Sequence, residues 1–262
     1  MVKISFLCDN RCFEGGCETE HGFSCLLEVN NYKLLIDCGE TDVFLRNAKL
    51  MNIDMDTVKN VLITHGHYDH GGGASHLCNK EIFVHKHTFQ KRFKPPYKGH
   101  GLTEETLMVE NKDKNKFIEI VNNTVINDNI YLLANIERKY DFEEPRPALL
   151  ENGEPDDYID EISVAVKTNK GLVVISGCAH RGICNTIEYA KKITGENRVH
   201  CVVGGFHLRD LNDAAKKTLE YFLNNPVDIL LMAHCNGDDV IEHFKKELQI
   251  VKMAGTGMQI NF

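Results

Sequence analysis

Thr64-His65-Gly66-His67-Tyr68-Asp69-His70-Gly71-Gly72-Gly73 is the stretch whose reading decides the fold of this chain. It gathers three histidines and one aspartate, His65, His67, Asp69 and His70, within a few positions. An apolar, β-branched run, Val61-Leu62-Ile63-Thr64, leads in, and three glycines follow. The pattern predicts a strand that ends in a ligand-dense loop. Imidazole nitrogens and a carboxylate oxygen held at short separation suit zinc, manganese or iron. His65 and His67 project the same way if strand geometry persists, so they can share one metal. Asp69 and His70 come after the chain has turned and can reach a second. Two metals about 3.5–4 Å apart form a catalytic clamp.

Outward from this loop, the chain reads as one domain over residues 1–262, without a low-complexity linker. Hydrophobic residues make up 42% and charged residues 26%, an ordinary globular mixture. The formal charge of −8 argues against a nucleic-acid partner, which needs a basic surface. No apolar stretch approaches the roughly 20 residues of a membrane span. Residues 1–9 turn polar too soon for a signal peptide and read as a first strand. Several of the 10 cysteines sit inside apolar runs, as buried thiols do, which points to a reducing cytoplasm rather than to disulfides. Cys8, Cys12 and Cys17 lack a close Cys-x-x-Cys pair and read as scattered thiols.

The first third is strand-rich. Residues 24–29 and 33–37 flank Asn30-Asn31, a hairpin turn, and a helix is expected from Val43 to Leu50. Short strands follow at Ile82–His85, 117–121 and 130–133. Residues 86–115 read as an irregular lid, locally basic between Lys86 and Lys98 with Pro95-Pro96. Residues 137–158, acidic and Pro-bearing, read as a second loop near the mouth. The last hundred residues alternate strand and helix. Strands at 171–176, 199–203 and 227–232 each precede a helix with apolar spacing: Ile187, Ala190 and Ile193; then Ala215, Leu219, Phe222 and Leu223; then Val240, Ile241, Phe244 and Leu248. Such alternation implies an α/β class with helices on the outer faces of sheets.

The His-x-His-x-Asp-His stretch resembles the signature of the metallo-β-lactamase superfamily. Leu34-Leu35-Ile36-Asp37-Cys38-Gly39 is similar to that family's strand ending in Asp-x-Gly. Residues 20–24 (Glu-His-Gly-Phe-Ser), 176–180 (Ser-Gly-Cys-Ala-His), 204–208 (Gly-Gly-Phe-His-Leu) and 233–237 (Ala-His-Cys-Asn-Gly) narrow the match. They resemble the subgroup named for 7,8-dihydropterin-6-methyl-4-(β-D-ribofuranosyl)aminobenzene 5′-phosphate synthase. The resemblance covers nearly the whole chain. It implies a four-layer αββα sandwich and a site for two divalent metal ions, zinc first, with manganese or iron as alternatives.

Superfamily members usually add a mid-chain histidine, a bridging acid and a last histidine. Here no histidine lies between His100 and His180. His180 is taken as the substitute third histidine of the first metal, and as catalytic with Asp69. Cys178 stands where most members place the bridging aspartate, either as a thiolate ligand or as a small buried residue. His234 matches the last histidine, for the second metal. His207 either replaces His234 as ligand or, the preferred reading, contacts substrate; His21 either binds substrate or packs. Asp37 would orient a metal-bound histidine from behind. His76, His85, His87, His100, His200 and His243 lack ligand spacing.

The resemblance implies a metal-dependent enzyme acting on a small, anionic substrate. In the subgroup's reaction an aromatic amine displaces pyrophosphate from a pterin's methylene group. The alternative is a hydrolase cleaving a phosphoester, lactone or thioester with metal-bound hydroxide. Diiron redox chemistry fits less well: relatives of that kind carry glutamate where Gly66 stands. A sensor on a retired scaffold would be expected to have lost ligands, and this loop has not.

Overall fold

Apolar, β-branched runs become strands, and the strands group into two large sheets, each in its own compact unit. The computed structural model describes residues 1–13, 15–95, 101–144 and 146–262; the expectations for Pro96, Lys98 and His100 lie outside them. The first unit comprises Met1–Val121, Arg146–Asp160 and Gly255–Phe262, the second Asn122–Pro145 and Glu161–Ala254. Among the described residues no helix is long and apolar enough to cross a membrane.

In the first unit, seven strands run in the order β17 (Gln259–Asn261), β1 (Val2–Cys8), β2 (Ser24–Val29), β3 (Tyr32–Ile36), β4 (Asn60–Leu62), β5 (Glu81–His85) and β8 (Lys116–Ile120). Pairing is antiparallel from β17 to β3 and parallel from β3 to β8. The expected hairpin joins β2 and β3, with Asn30 at φ 54°, a left-handed conformation that asparagine tolerates. Helix α1 (Val43–Leu50) has the anticipated bounds and buries Val43, Phe44 and Ala48 in a core with Leu7, Leu26, Leu35 and Val61.

Among the described residues of 86–115 the chain is not irregular throughout, as a lid would be. These residues supply β6 (Arg92–Lys94) and β7 (Thr103–Glu104), which join β11 (Leu149–Leu150) in a small three-stranded sheet. Leu107 and Val109 enter the core, and Arg92 is 1% exposed. Pattern reading scores an arginine as surface; here two aspartates neutralise it, which is what allows the burial.

The second unit orders its strands β16 (Val251–Met253), β15 (Ile229–Met232), β14 (Val199–Gly204), β13 (Gly171–Ser176), β12 (Ser163–Thr168), β10 (Ile130–Leu133) and β9 (Thr124–Asn127). β13 to β16 are parallel, linked in turn by helices α3 (Ile183–Thr194), α4 (Asp213–Asn224) and α5 (Asp238–Glu247). Ile187, Ala190, Leu219, Phe222, Ile241 and Phe244 from these helices share a core with Leu172, Val174, Val202 and Leu230. Every residue of β13 and β14 is buried, as continuous apolar runs in parallel strands predict. Leu223, expected on the apolar stripe of α4, is exposed; it lies one residue, roughly 100°, past Phe222.

Candidate functional site

The chemistry-bearing side chains sit just beyond the carboxyl ends of parallel strands, where open α/β sheets bind ligands. In the first unit, β4 leads through Ile63 and Thr64 into His65-Gly66-His67. The chain bends at His65 and Gly66, is extended again at His67 (φ −96°, ψ 147°), and then closes into the short helical turn α2 (Tyr68–Gly71). Strand geometry does not persist through His65 and His67, as the shared projection required, because the chain bends between them; Asp69 and His70 do follow on a turn, as expected. Two glycines have a steric reason. A Cβ at Gly66 would lie 1.8 Å from the Thr88 carbonyl oxygen, and one at Gly73 2.2 Å from that of Cys38.

The donors converge. His65 Nε2 and His67 Nδ1 are 3.0 Å apart, and the His65 and His70 rings are 4.2 Å apart. The nearest Asp69 oxygen is 3.9 Å from His70 Nε2 and 3.2 Å from His21 Nε2. Asp37, left-handed at φ 57° just past β3, holds this loop from behind. Its Oδ1 accepts the Thr64 N–H at 2.7 Å, and its Oδ2 accepts from the Thr64 hydroxyl at 2.8 Å and from His70 Nδ1 at 2.6 Å. A carboxylate is acceptor-only, so it assigns the proton to His70 Nδ1 and leaves Nε2 as a donor atom for a metal. Burial, reinforced by the positive charge of Arg92, pushes the His67 pKa well down and keeps the ring neutral, the form that ligates. Three imidazoles and a carboxylate, largely shielded from water, fit a divalent transition metal.

In the second unit the donors arrive from separate strand ends. Cys178 and His180 follow β13, His207 follows β14 and His234 follows β15. Ala179, His207 and His234 all take left-handed φ values, 52°, 54° and 48°, which are uncommon outside glycine and concentrate at functional sites. The His180 and His207 rings are 4.8 Å apart, and the His207 N–H donates to Cys235 Sγ at 3.3 Å. Asn236 braces this end, accepting the Phe206 N–H at 3.1 Å and donating to the Ala233 carbonyl at 2.8 Å. Cys178, His180 and His234 are buried, and His207 is partly exposed. Of the histidines without ligand spacing, His200 pairs with Asp228 at 2.6 Å and the His85 ring lies 5.4 Å from that of His87.

Sequence reasoning missed the groups that hold these segments. Glu161 accepts the His180 and Arg181 N–H groups, one on each oxygen, both at 2.7 Å. Asp160 accepts the Gly66 N–H at 2.7 Å. Glu143 accepts the Cys184 and Asn185 N–H groups at 2.8 Å, at the start of α3. A signal was present: Asp160-Glu161 runs directly into Ile162 and the buried first residues of β12, and acids beside a buried strand need partners.

A family model described as anti-Pycsar protein Apyc1 matches residues 13–129. The chain is 32% identical over 257 residues to the 7,8-dihydropterin-6-methyl-4-(β-D-ribofuranosyl)-aminobenzene-5′-phosphate synthase of Methanocaldococcus jannaschii, covering 88% of this chain and 87% of that one. It is 31% identical over 250 residues to a second, uncharacterized protein of the same organism, covering 90% and 91%. The solved structure of Tm1679, described as a metal-dependent hydrolase of the β-lactamase superfamily, superposes with a TM-score of 0.87 at 33% identity, over 100% of this chain and 99% of that one.

Proposed function

Since the chain belongs to the metallo-β-lactamase superfamily, in the family of the dihydropterin-aminobenzene-ribofuranosyl-phosphate synthase, and has its α/β fold, we propose that it is a transferase in which an aromatic amine displaces pyrophosphate from a pterin methylene group. That it is a metal-dependent enzyme of this fold follows from the family; the reaction and the ligand set are our reading. The observation that carries it is the buried convergence of His65, His67, Asp69 and His70 on one loop, with Asp37 fixing the proton of His70.

In this reading residues 1–262 act as one catalytic domain holding two divalent ions, zinc before manganese or iron. His65, His67 and His180 would hold the first and Asp69, His70 and His234 the second; Cys178 would add a thiolate, or stand there as a small buried residue. When bound, the ions supply Lewis acidity toward the oxygens of the departing pyrophosphate. His21 and His207 contact the substrate: both keep some exposure, and His21 reaches Asp69. Asp69 and His180 are the residues we assign to catalysis. The net charge of −8 supports a small-molecule rather than a nucleic-acid substrate. The 10 free thiols support work in the reducing cytoplasm.

A second reading, a hydrolase of a phosphoester, lactone or thioester, is favoured by the likeness to Tm1679. Elemental analysis of protein purified without added metal tests what the readings share. About two ions per chain are expected, falling to one or none in Asp69→Ala together with loss of turnover. Unchanged metal content in Asp69→Ala overturns the ligand set. Turnover of a pterin pyrophosphate with an aromatic amine, against that of a phosphodiester and a lactone, then separates transferase from hydrolase.

A further inference from the structure

The peptide between His65 and His67 is gripped on both sides. The Gly66 N–H donates to Asp160 Oδ2 at 2.7 Å, and the Gly66 carbonyl accepts the Leu107 N–H at 3.0 Å. Behind Asp160 stands Arg92, whose Nη1 lies 3.1 Å from the same carboxylate oxygen. Arg92 Nε also faces Asp156 Oδ2 at 3.4 Å. Asp156, through its other oxygen, accepts the Tyr158 N–H at 2.8 Å. The Tyr158 ring then meets the His67 ring edge-on, 5.7 Å between centroids. Segment 156–160 thus cradles both Gly66 and His67. The next residue, Glu161, clasps the backbone of His180 and Arg181. Asp160 closes the second stretch of the first unit and Glu161 opens the second stretch of the other.

We propose that the consecutive acids Asp160 and Glu161 are positioning residues, each fixing the backbone of one histidine-bearing segment, with Arg92 locking Asp160 in place. The inference rests on the proposed function in one respect, that these segments bind metal. Three arguments carry it. Arg92 and Asp160 are each 1% exposed and Asp156 is 5% exposed, and taking charges out of water is costly, so an apolar trio would hold the fold at least as well. A task other than stability is needed to explain them. Carboxylates accepting peptide N–H groups at 2.7 Å make strong, short, charge-assisted hydrogen bonds. Metal sites tolerate ligand displacements of only about 0.5 Å, and backbone clamps beside the ligands supply that precision.

The test measures zinc affinity by chelator competition and the melting temperature of metal-free protein. The variants are Asp160→Ala, Asp160→Asn, Glu161→Gln and, as control, Asp156→Asn. The control disturbs the charge beside Arg92 without touching Gly66. Asp160→Ala is expected to weaken zinc binding roughly 10–100-fold, the range typical of groups that orient metal ligands. Asp160→Asn and Glu161→Gln, which keep one acceptor oxygen, should lose less. Asp156→Asn should lower the metal-free melting temperature while weakening zinc binding far less than Asp160→Ala does. Zinc affinity in Asp160→Ala equal to wild type, or a loss in Asp156→Asn as large, would make the cluster purely structural and overturn the proposal. Should Asp160→Ala not fold, the same comparison between Asp160→Asn and Asp156→Asn decides. Wild-type protein that takes up neither zinc nor manganese removes the proposed function and this inference with it. Wild-type uptake with an unaffected Asp160→Ala removes the inference alone.

Discussion

Between His65 and His70 the first unit places four donor side chains on one loop, whereas Cys178, His180, His207 and His234 reach their positions from three separate strand ends. The two regions solve the same positional problem by different physics. The compact loop depends on close backbone approach at Gly66 and Gly73, and on a charged cluster of Arg92, Asp156 and Asp160 buried behind it. The dispersed set depends on left-handed residues that turn the chain sharply after each strand, and on Glu161 and Glu143, which accept peptide N–H groups directly. A dense motif concentrates its support in one place. A scattered one needs an anchor at every strand end.

That contrast predicts unequal costs. Replacing Arg92 with methionine leaves Asp156 and Asp160 buried without their cation, which should destabilise the protein by about 3–5 kcal/mol. The midpoint of urea unfolding reads this directly. A loss below about 1 kcal/mol would place Arg92 among ordinary polar contacts and break the comparison. In the second unit, Glu143→Ala removes the acceptor for two N–H groups at the start of α3. The expected cost is about 0.5–2 kcal/mol, the range for losing a helix N-terminal cap. Gly182 belongs to the same device: at φ 94° its Cβ would lie 2.1 Å from Glu143 Oε2, so no side chain fits there.

The same contrast explains what could be read from the sequence. The ligand loop, the Asp37 strand end, the Asn30 hairpin and the bounds of α1 are local: each lies in a few adjacent residues whose types dictate the conformation. The three strand–helix repeats of the second unit were legible for a similar reason, since helical spacing after an apolar strand is a short-range pattern. Arg92 and the Asp156–Asp160 segment were not legible. Their meaning lies in pairings across more than 60 residues, between Arg92 and Asp160 and between Gly66 and Asp160. By type alone they read as surface loops. Residues 137–158 read as one loop for the same reason, yet Glu143 caps α3 of the second unit while Asp156 and Tyr158 serve the first.

The smallest expected effect probes the anchors of α3 by pH. Glu188 lies midway along that helix. Burial would raise its pKa, but hydrogen bonds from Lys139 at 2.6 Å, Lys191 at 2.9 Å and Tyr221 at 2.9 Å outweigh it and hold the carboxyl at about 2. Glu143 shifts the other way: burial raises its pKa despite the N–H groups it accepts. The signs therefore oppose. A depressed carboxyl contributes stability above its unfolded value, near 4.5, and loses it as pH falls toward the folded value of about 2. A raised carboxyl favours the folded state most at low pH and loses that contribution as pH rises past 4.5 toward its folded value. Glu188 is partly exposed to solvent, so screening keeps its share to about 1 kcal/mol or less. The difference in stability between wild type and Glu188→Gln should therefore be largest near pH 7 and shrink between pH 4.5 and 2. The difference between wild type and Glu143→Gln should move in favour of wild type as pH drops toward 4.5. Parallel pH profiles for the two variants would mean that both acids act only as neutral hydrogen-bond acceptors, and the charge-based account of the second unit's anchors would fail.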